Sequence, residues 1–181
     1  MIEVPPRLRD AYDQVHATRD SPLARDAALL GARIALAWIF IYHGAGTLFG
    51  AFGGAGVHEA SIFFGTVAHL HPATFFAVLS GIIELFGGIA VGLGIFGRIA
   101  AAGLVGDMVI AMATVTFGNG IVSNAPGAGY ELNVALAALA LVVALLGTGR
   151  YSLDVLIRTL MERKSLPRMG TVSAGPSRRP D

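Results

Sequence analysis

Two carboxylates stand inside apolar runs: Glu84 in SGIIELFGGIAVGLGIFG and Asp107 in RIAAAGLVGDMVIAMATVTF. An ionisable side chain at the centre of such a run is costly unless it faces protein or a water-filled cavity, so each is a functional candidate. Both lie near mid-run, which puts them at similar depth on antiparallel neighbours. Two carboxylates close together in low dielectric cannot both ionise, so the pair is expected to hold a proton near neutral pH. His43, in the first apolar run, falls roughly 5 Å to the outer side of centre at the helical rise. It is the candidate hydrogen-bond partner or proton relay. Glu131 opens the last apolar run at its outer mouth. His43, Glu84, Asp107 and Glu131 thus form the candidate ligand- or proton-binding set, suited to a quinone-like ligand or a substrate crossing a bilayer. The plainer alternative is an acid pair that only pins helix packing.

The elements that must position these groups follow from composition. Of 181 residues, 54% are hydrophobic and 14% charged, with a mean hydropathy of +0.66. Soluble domains carry roughly a quarter charged residues, so the chain reads as an integral membrane protein of one domain. It has no cysteine, which excludes disulfides, thiolate chemistry and the usual iron–sulfur ligation. A net charge of +1 gives no reason to expect nucleic acid. The polar N-terminus, MIEVPPRLRDAYDQVHATRD, is not expected to be a cleavable signal.

Four apolar runs are expected to cross the membrane, at about 28–49, 73–96, 99–117 and 130–146. The fold class is therefore an all-α membrane protein, a four-transmembrane-helix bundle with cytoplasmic amphipathic end segments. Its parts are an N-terminal segment (1–27), the membrane domain (28–149), an amphipathic helix (150–164) and a disordered tail (165–181). Leu8, Ala11, Tyr12 and Val15 mark a short amphipathic stripe in the N-terminal segment, and Leu153, Leu156, Ile157, Leu160 and Met161 mark another near the C-terminus. Gly97-Arg98 is expected to be the whole turn between the second and third spans. The outer segment VHEASIFFGTVAHL is apolar enough to lie along the surface as a short helix. Gly88 and Gly92, spaced as a small-residue contact, have a packing role without any ligand. Trp38, Tyr42 and Tyr130 are expected as packing or interface aromatics.

Every Lys and Arg lies in the terminal segments, beside the Gly97-Arg98 turn, or (Arg33) at the inner end of the first span. The positive-inside rule then puts both termini in the cytoplasm, and the protein is expected to be a multi-pass protein of the cell inner (plasma) membrane. Arg33, Arg98 and Asp154 form an inner-face charge cluster, with Arg33 able to snorkel to the interface. A salt-bridge cluster is the plain account, and a site for an anionic head group or cytosolic partner the sharper one. His58, His69 and His71, with Glu59, lie in the outer loop. Their spacing matches no strong ligand motif, so they are expected to be solvated and no metal is assigned, with an outer metal site as the sharper alternative.

These pieces resemble the DoxX family of small four-helix membrane proteins. The resemblance is carried by GARIALAWIFIYHGAGTLFG, then GIIELFGGIAVGLGIFGRIAA, then GYELNVALAALALVVALLGTGRYSLD, in order over roughly residues 29–154. Carried over by position, the residues of interest are Arg33, His43, Gly44, Glu84, Arg98, Glu131 and Asp154. One departure is Thr47, where many members have a lysine. The resemblance implies kinship with a subunit of a terminal quinol oxidase and thiosulfate:quinone oxidoreductase, and with anchors of cytosolic redox and sulfur-handling enzymes.

The expected function is a non-catalytic subunit or anchor of a membrane redox system: quinone-linked, sulfur-handling or concerned with oxidative stress. It would be surrounded by lipid, with a cytosolic redox enzyme on its inner face and no covalently held cofactor; a quinone is the candidate ligand. The alternative is a small proton-coupled transporter, which with so few helices would have to act as a homo-oligomer. Catalysis by the chain alone ranks last, because no metal set, nucleotide loop or nucleophile–base arrangement stands out. If it is enzymatic, it is expected to be a subunit of a quinone-linked oxidoreductase.

Overall fold

The computed structural model describes Pro5, Arg7 and residues 22–122 and 127–165. The stripe at Leu8, Ala11, Tyr12 and Val15 and nearly all of the 165–181 tail lie outside them. In order the helices are α1 (Pro22–Phe49), α2 (Gly56–Thr66), α3 (Ala73–Leu93), α4 (Gly97–Ala111), α5 (Glu131–Leu146) and α6 (Leu153–Ser165). No strand occurs among the described residues, as expected where oil offers the backbone no outside partner. α4 runs on through a π-turn, Met112–Thr116, and a 3-10 turn, Phe117–Asn119. Three stretches, Pro22–Phe49, Ala73–Leu93 and Gly97–Asn119, are long and apolar enough to cross a membrane. α5 is as apolar but has only 16 residues, about 24 Å at the helical rise.

α1 packs on α3, α3 on α4, α4 on α5, and α5 touches α1 in turn. Where these helices meet, Leu36, Phe40, Val91, Ala101, Leu104, Met108, Leu136, Ala140 and Val143 form the buried core. Large apolar side chains also point outward, among them Ile34, Trp38, Phe86, Val109 and Leu145. Helices apolar on both faces fit a lipid surround.

The α1–α3 seam is antiparallel and lined by small residues. An ideal Cβ added to Gly92 would stand 2.8 Å from the Ala37 Cβ, and one added to Gly88 would stand 3.1 Å from the Ile41 nitrogen. At Gly44 the added atom would run into the Leu85 backbone nitrogen. Such stripes let backbones approach in lipid, where association rests on van der Waals packing and interhelical hydrogen bonds.

The turn after α3 comes earlier than the sequence pattern suggests. Gly94 takes a left-handed conformation (φ 72°), its N–H reaching Val91 O at 3.2 Å and that of Ile95 reaching Ala90 O at 3.0 Å. This is a Schellman closure, which glycine enters without a Cβ penalty. The turn is Gly94–Phe96, and Gly97-Arg98 is instead the first turn of α4.

Arg33 holds the seam's other end. It does not snorkel: it is 1% exposed. Nε donates to Val91 O at 2.8 Å and Nη2 to Gly92 O at 2.7 Å, both on α3. Nη1 donates to Thr148 O and Tyr151 O, each at 2.7 Å, in the segment between α5 and α6. One guanidinium thereby ties α1, the end of α3 and the α5–α6 link together. Arg33→Leu strands several buried acceptors at about 1–3 kcal/mol each. It is expected to lower stability by at least about 3 kcal/mol, read as a sharply earlier thermal unfolding of the detergent-solubilised protein by circular dichroism.

Candidate functional site

Glu84 is the twelfth of the 21 residues of α3, and Asp107 lies mid-way along Gly97–Asn119. Both line one cavity of about 160 Å³, together with His43 and Thr47 from α1. The acids are near enough for the charge of Asp107 to act on Glu84. Ser80, one turn before Glu84, donates from Oγ to Asp107 Oδ1 at 2.9 Å, linking α3 to α4. α2 is no free surface helix: it packs on α3, and Phe63 and Phe64, with Ala68 and Leu70 beyond, wall the cavity. The far wall comes from Ile110, Ala111, Thr114 and Val115, at and just before the π-turn of α4. A π-turn adds a residue to the helical repeat and re-aims the side chains beyond it; such turns recur at functional sites.

Glu131 is not in this cavity. It is exposed and is the first residue of α5, where a carboxylate favours the N-terminal N–H groups of its own helix. The polar residue that α5 does send inward is Asn133. It accepts from Thr116 Oγ1 at 3.1 Å and donates to Met108 Sδ at 3.6 Å, and Met108 lines the cavity. Sequence reasoning passed over Ser80, Thr116 and Asn133. For Ser80 a signal existed, since i and i+4 share a helix face and Ser80 stands four before Glu84.

The inner-face set divides. Arg98 and Asp154 line a second cavity, of about 610 Å³, at the opposite end from α2. Arg33 lies behind it, close enough to Asp154 for their charges to attract. His58, His69 and His71 are all exposed, and no three of His, Asp or Glu come together among the described residues as a metal set would.

A family model described as DoxX matches residues 28–117. The chain carries a DoxX domain. The match takes in His43, Glu84 and Asp107 with the seam that positions them, and α5 and α6 lie beyond it. Neither the comparison with curated proteins nor that with solved structures gave a match.

Within the DoxX domain, Thr47 lines the acid cavity, so the departure from the expected lysine falls at the site itself. His43 is carried by the closely packed Gly44, so the α1–α3 approach sets where its ring lies. Gly44→Leu is expected to destabilise by about 1–3 kcal/mol through overpacking. Gly31, with open space around its Cβ position, supplies the control: Gly31→Leu should leave the melting temperature nearly unchanged.

Proposed function

We propose that this DoxX-domain protein is a subunit or anchor of a membrane redox system (quinone-linked, sulfur-handling or concerned with oxidative stress) that carries no electrons itself, its acid cavity serving as the proton-exchanging site. The observation that carries the proposal is the convergence of Glu84, Asp107 and His43 on one cavity within apolar helices. Half-buried acids that share a cavity with an exposed histidine and with hydroxyls have the parts to pass protons to a small polar ligand. In this proposal α5 is a fourth span, a short one accommodated by local thinning of the bilayer. Both termini are cytoplasmic, since the Arg98 end carries the basic residues.

The cavity also limits the ligand. At about 160 Å³ it is smaller than the ~300–1,000 Å³ of drug-sized pockets. A quinone would fit by its head ring alone, its tail lying among lipid. His43 and Thr47 have N–H and O–H groups for the ring carbonyls, Ser80 holds Asp107 in place, and Glu84 or Asp107 would exchange the proton. The bound quinone would supply the electron-carrying chemistry, which this chain's residues lack.

The test is purification of the intact protein at native expression in mild detergent, with copurifying proteins and bound small molecules identified by mass spectrometry. An oxidoreductase or sulfurtransferase should copurify. Glu84→Gln should preserve that association yet lower quinone-coupled turnover about a hundredfold, the scale of one lost proton-transfer group. Recovery of the bare protein would overturn the proposal, and pH-gradient-driven flux through liposomes holding it alone would establish the carrier alternative.

A further inference from the structure

The larger cavity, at the Arg98 end, plays no part in the proton-exchange proposal. Its walls come from three places: the start of α4 (Gly97, Arg98, Ile99), the link Gly147–Gly149, and the first turns of α6 (Asp154, Val155, Arg158). The walls are fixed by backbone and guanidinium contacts. Arg33 bonds Thr148 O and Tyr151 O, and the Asp154 N–H reaches Gly94 O at 3.1 Å, so the link and α6 are tied to α3. Glycine is needed where the walls close: a Cβ on Gly97 would strike Thr148 Cγ2, and one on Gly147 would stand 3.1 Å from Arg98 Nε. Arg98 therefore lies directly over the link.

The charge balance favours an anion. Arg98 and Arg158 are both exposed, unlike Arg33, whose donors are spent on carbonyls. Asp154 shares the lining, but it is attracted to Arg33 behind the wall. The N-terminus of α4 has no side-chain cap; the Ile99 and Ala100 N–H groups turn back to Phe96 O, and those of Gly97 and Arg98 are directed to the same end. Guanidinium forks fit phosphate oxygens in paired hydrogen bonds.

Position selects the source of the phosphate. α4 begins a membrane-length segment, so the cavity sits at head-group depth. α6 leaves Leu156, Ile157, Leu160 and Met161 exposed, with Asp154 and Arg158 interleaved, the composition of a helix lying in the interface plane. We propose that this cavity binds the phosphate of an anionic phospholipid, held between Arg98 and Arg158 with the apolar residues of α6 among the acyl chains.

The test uses the full chain in nanodiscs of phosphatidylglycerol diluted in phosphatidylcholine, with retained lipid read by native mass spectrometry after transfer to mild detergent. Wild type should retain phosphatidylglycerol selectively. The Arg98→Gln/Arg158→Gln variant should retain at least about tenfold less, the expected effect of losing the paired charge-assisted hydrogen bonds to one phosphate. The Arg25→Gln/Arg150→Gln variant removes the same charge from the same end, outside the cavity lining, and should retain the wild-type amount. Arg98→Lys separates charge from geometry and should give an intermediate value. Equal losses from both double variants would reduce the effect to general surface charge and overturn the site. Binding of inorganic phosphate alone, without arginine-dependent lipid retention, would overturn the lipid assignment.

Discussion

The closely packed face between α1 and α3 is the constraint on which the other features depend. In lipid, no hydrophobic force drives one apolar helix onto another, so the contact must come from close packing and hydrogen bonds. Gly81, Gly88 and Gly92 on α3, and Ala37 and Gly44 on α1, allow that approach. Arg33 secures one end through bonds to Val91 O and Gly92 O. A buried cation without a carboxylate hydrogen-bonded to it is unusual. Here carbonyls exposed by the α3 terminus and by the α5–α6 link take its donors, which meets the need of both sides.

From that face the two ends of the molecule acquire different chemistry. Toward α2, the same register carries His43 and Thr47 alongside Ser80 and Glu84, and α4 brings Asp107 across to Ser80. The result is polar groups gathered around a small, partly open cavity, the kind of place where ionisable residues in a membrane are tolerated. Toward Arg98, the Gly94 closure of α3 and the Arg33 bonds hold the α5–α6 link against α4 and create the larger, charged recess. The acid cavity lies among helix centres and the basic one at helix ends, an arrangement that matches a proton site within oil and an anion site at its surface.

Much of this is legible in the sequence, and the exceptions have physical causes. The helices are readable because long apolar runs have few other options in a bilayer, and Glu84 and Asp107 stand out because carboxylates are rare there. Arg33 reads as a snorkelling residue, because its carbonyl partners sit more than fifty residues away in sequence and no local pattern announces them. The sequence pattern puts the α3–α4 turn at Gly97-Arg98, although Gly94 is the glycine with positive φ. In a segment with seven glycines from Gly81 to Gly103, composition does not say which one caps. Glu131 groups with the buried acids by its nearness to an apolar run, whereas the helix starts at that residue and leaves it exposed. The part played by α2 is out of reach, because apolar surface helices and apolar cavity walls share one composition.

The central claim is that Glu84 and Asp107 line one small cavity between α3 and α4. The chain has no native cysteine, so paired cysteines report on this directly: Glu84→Cys with Asp107→Cys, treated in native membranes with a short bifunctional thiosulfonate and read by peptide mass spectrometry. Rapid intramolecular cross-linking is the predicted result, far faster than for Phe86→Cys with Asp107→Cys, since Phe86 points outward. Cross-linking of the acid positions no faster than that control would contradict the account.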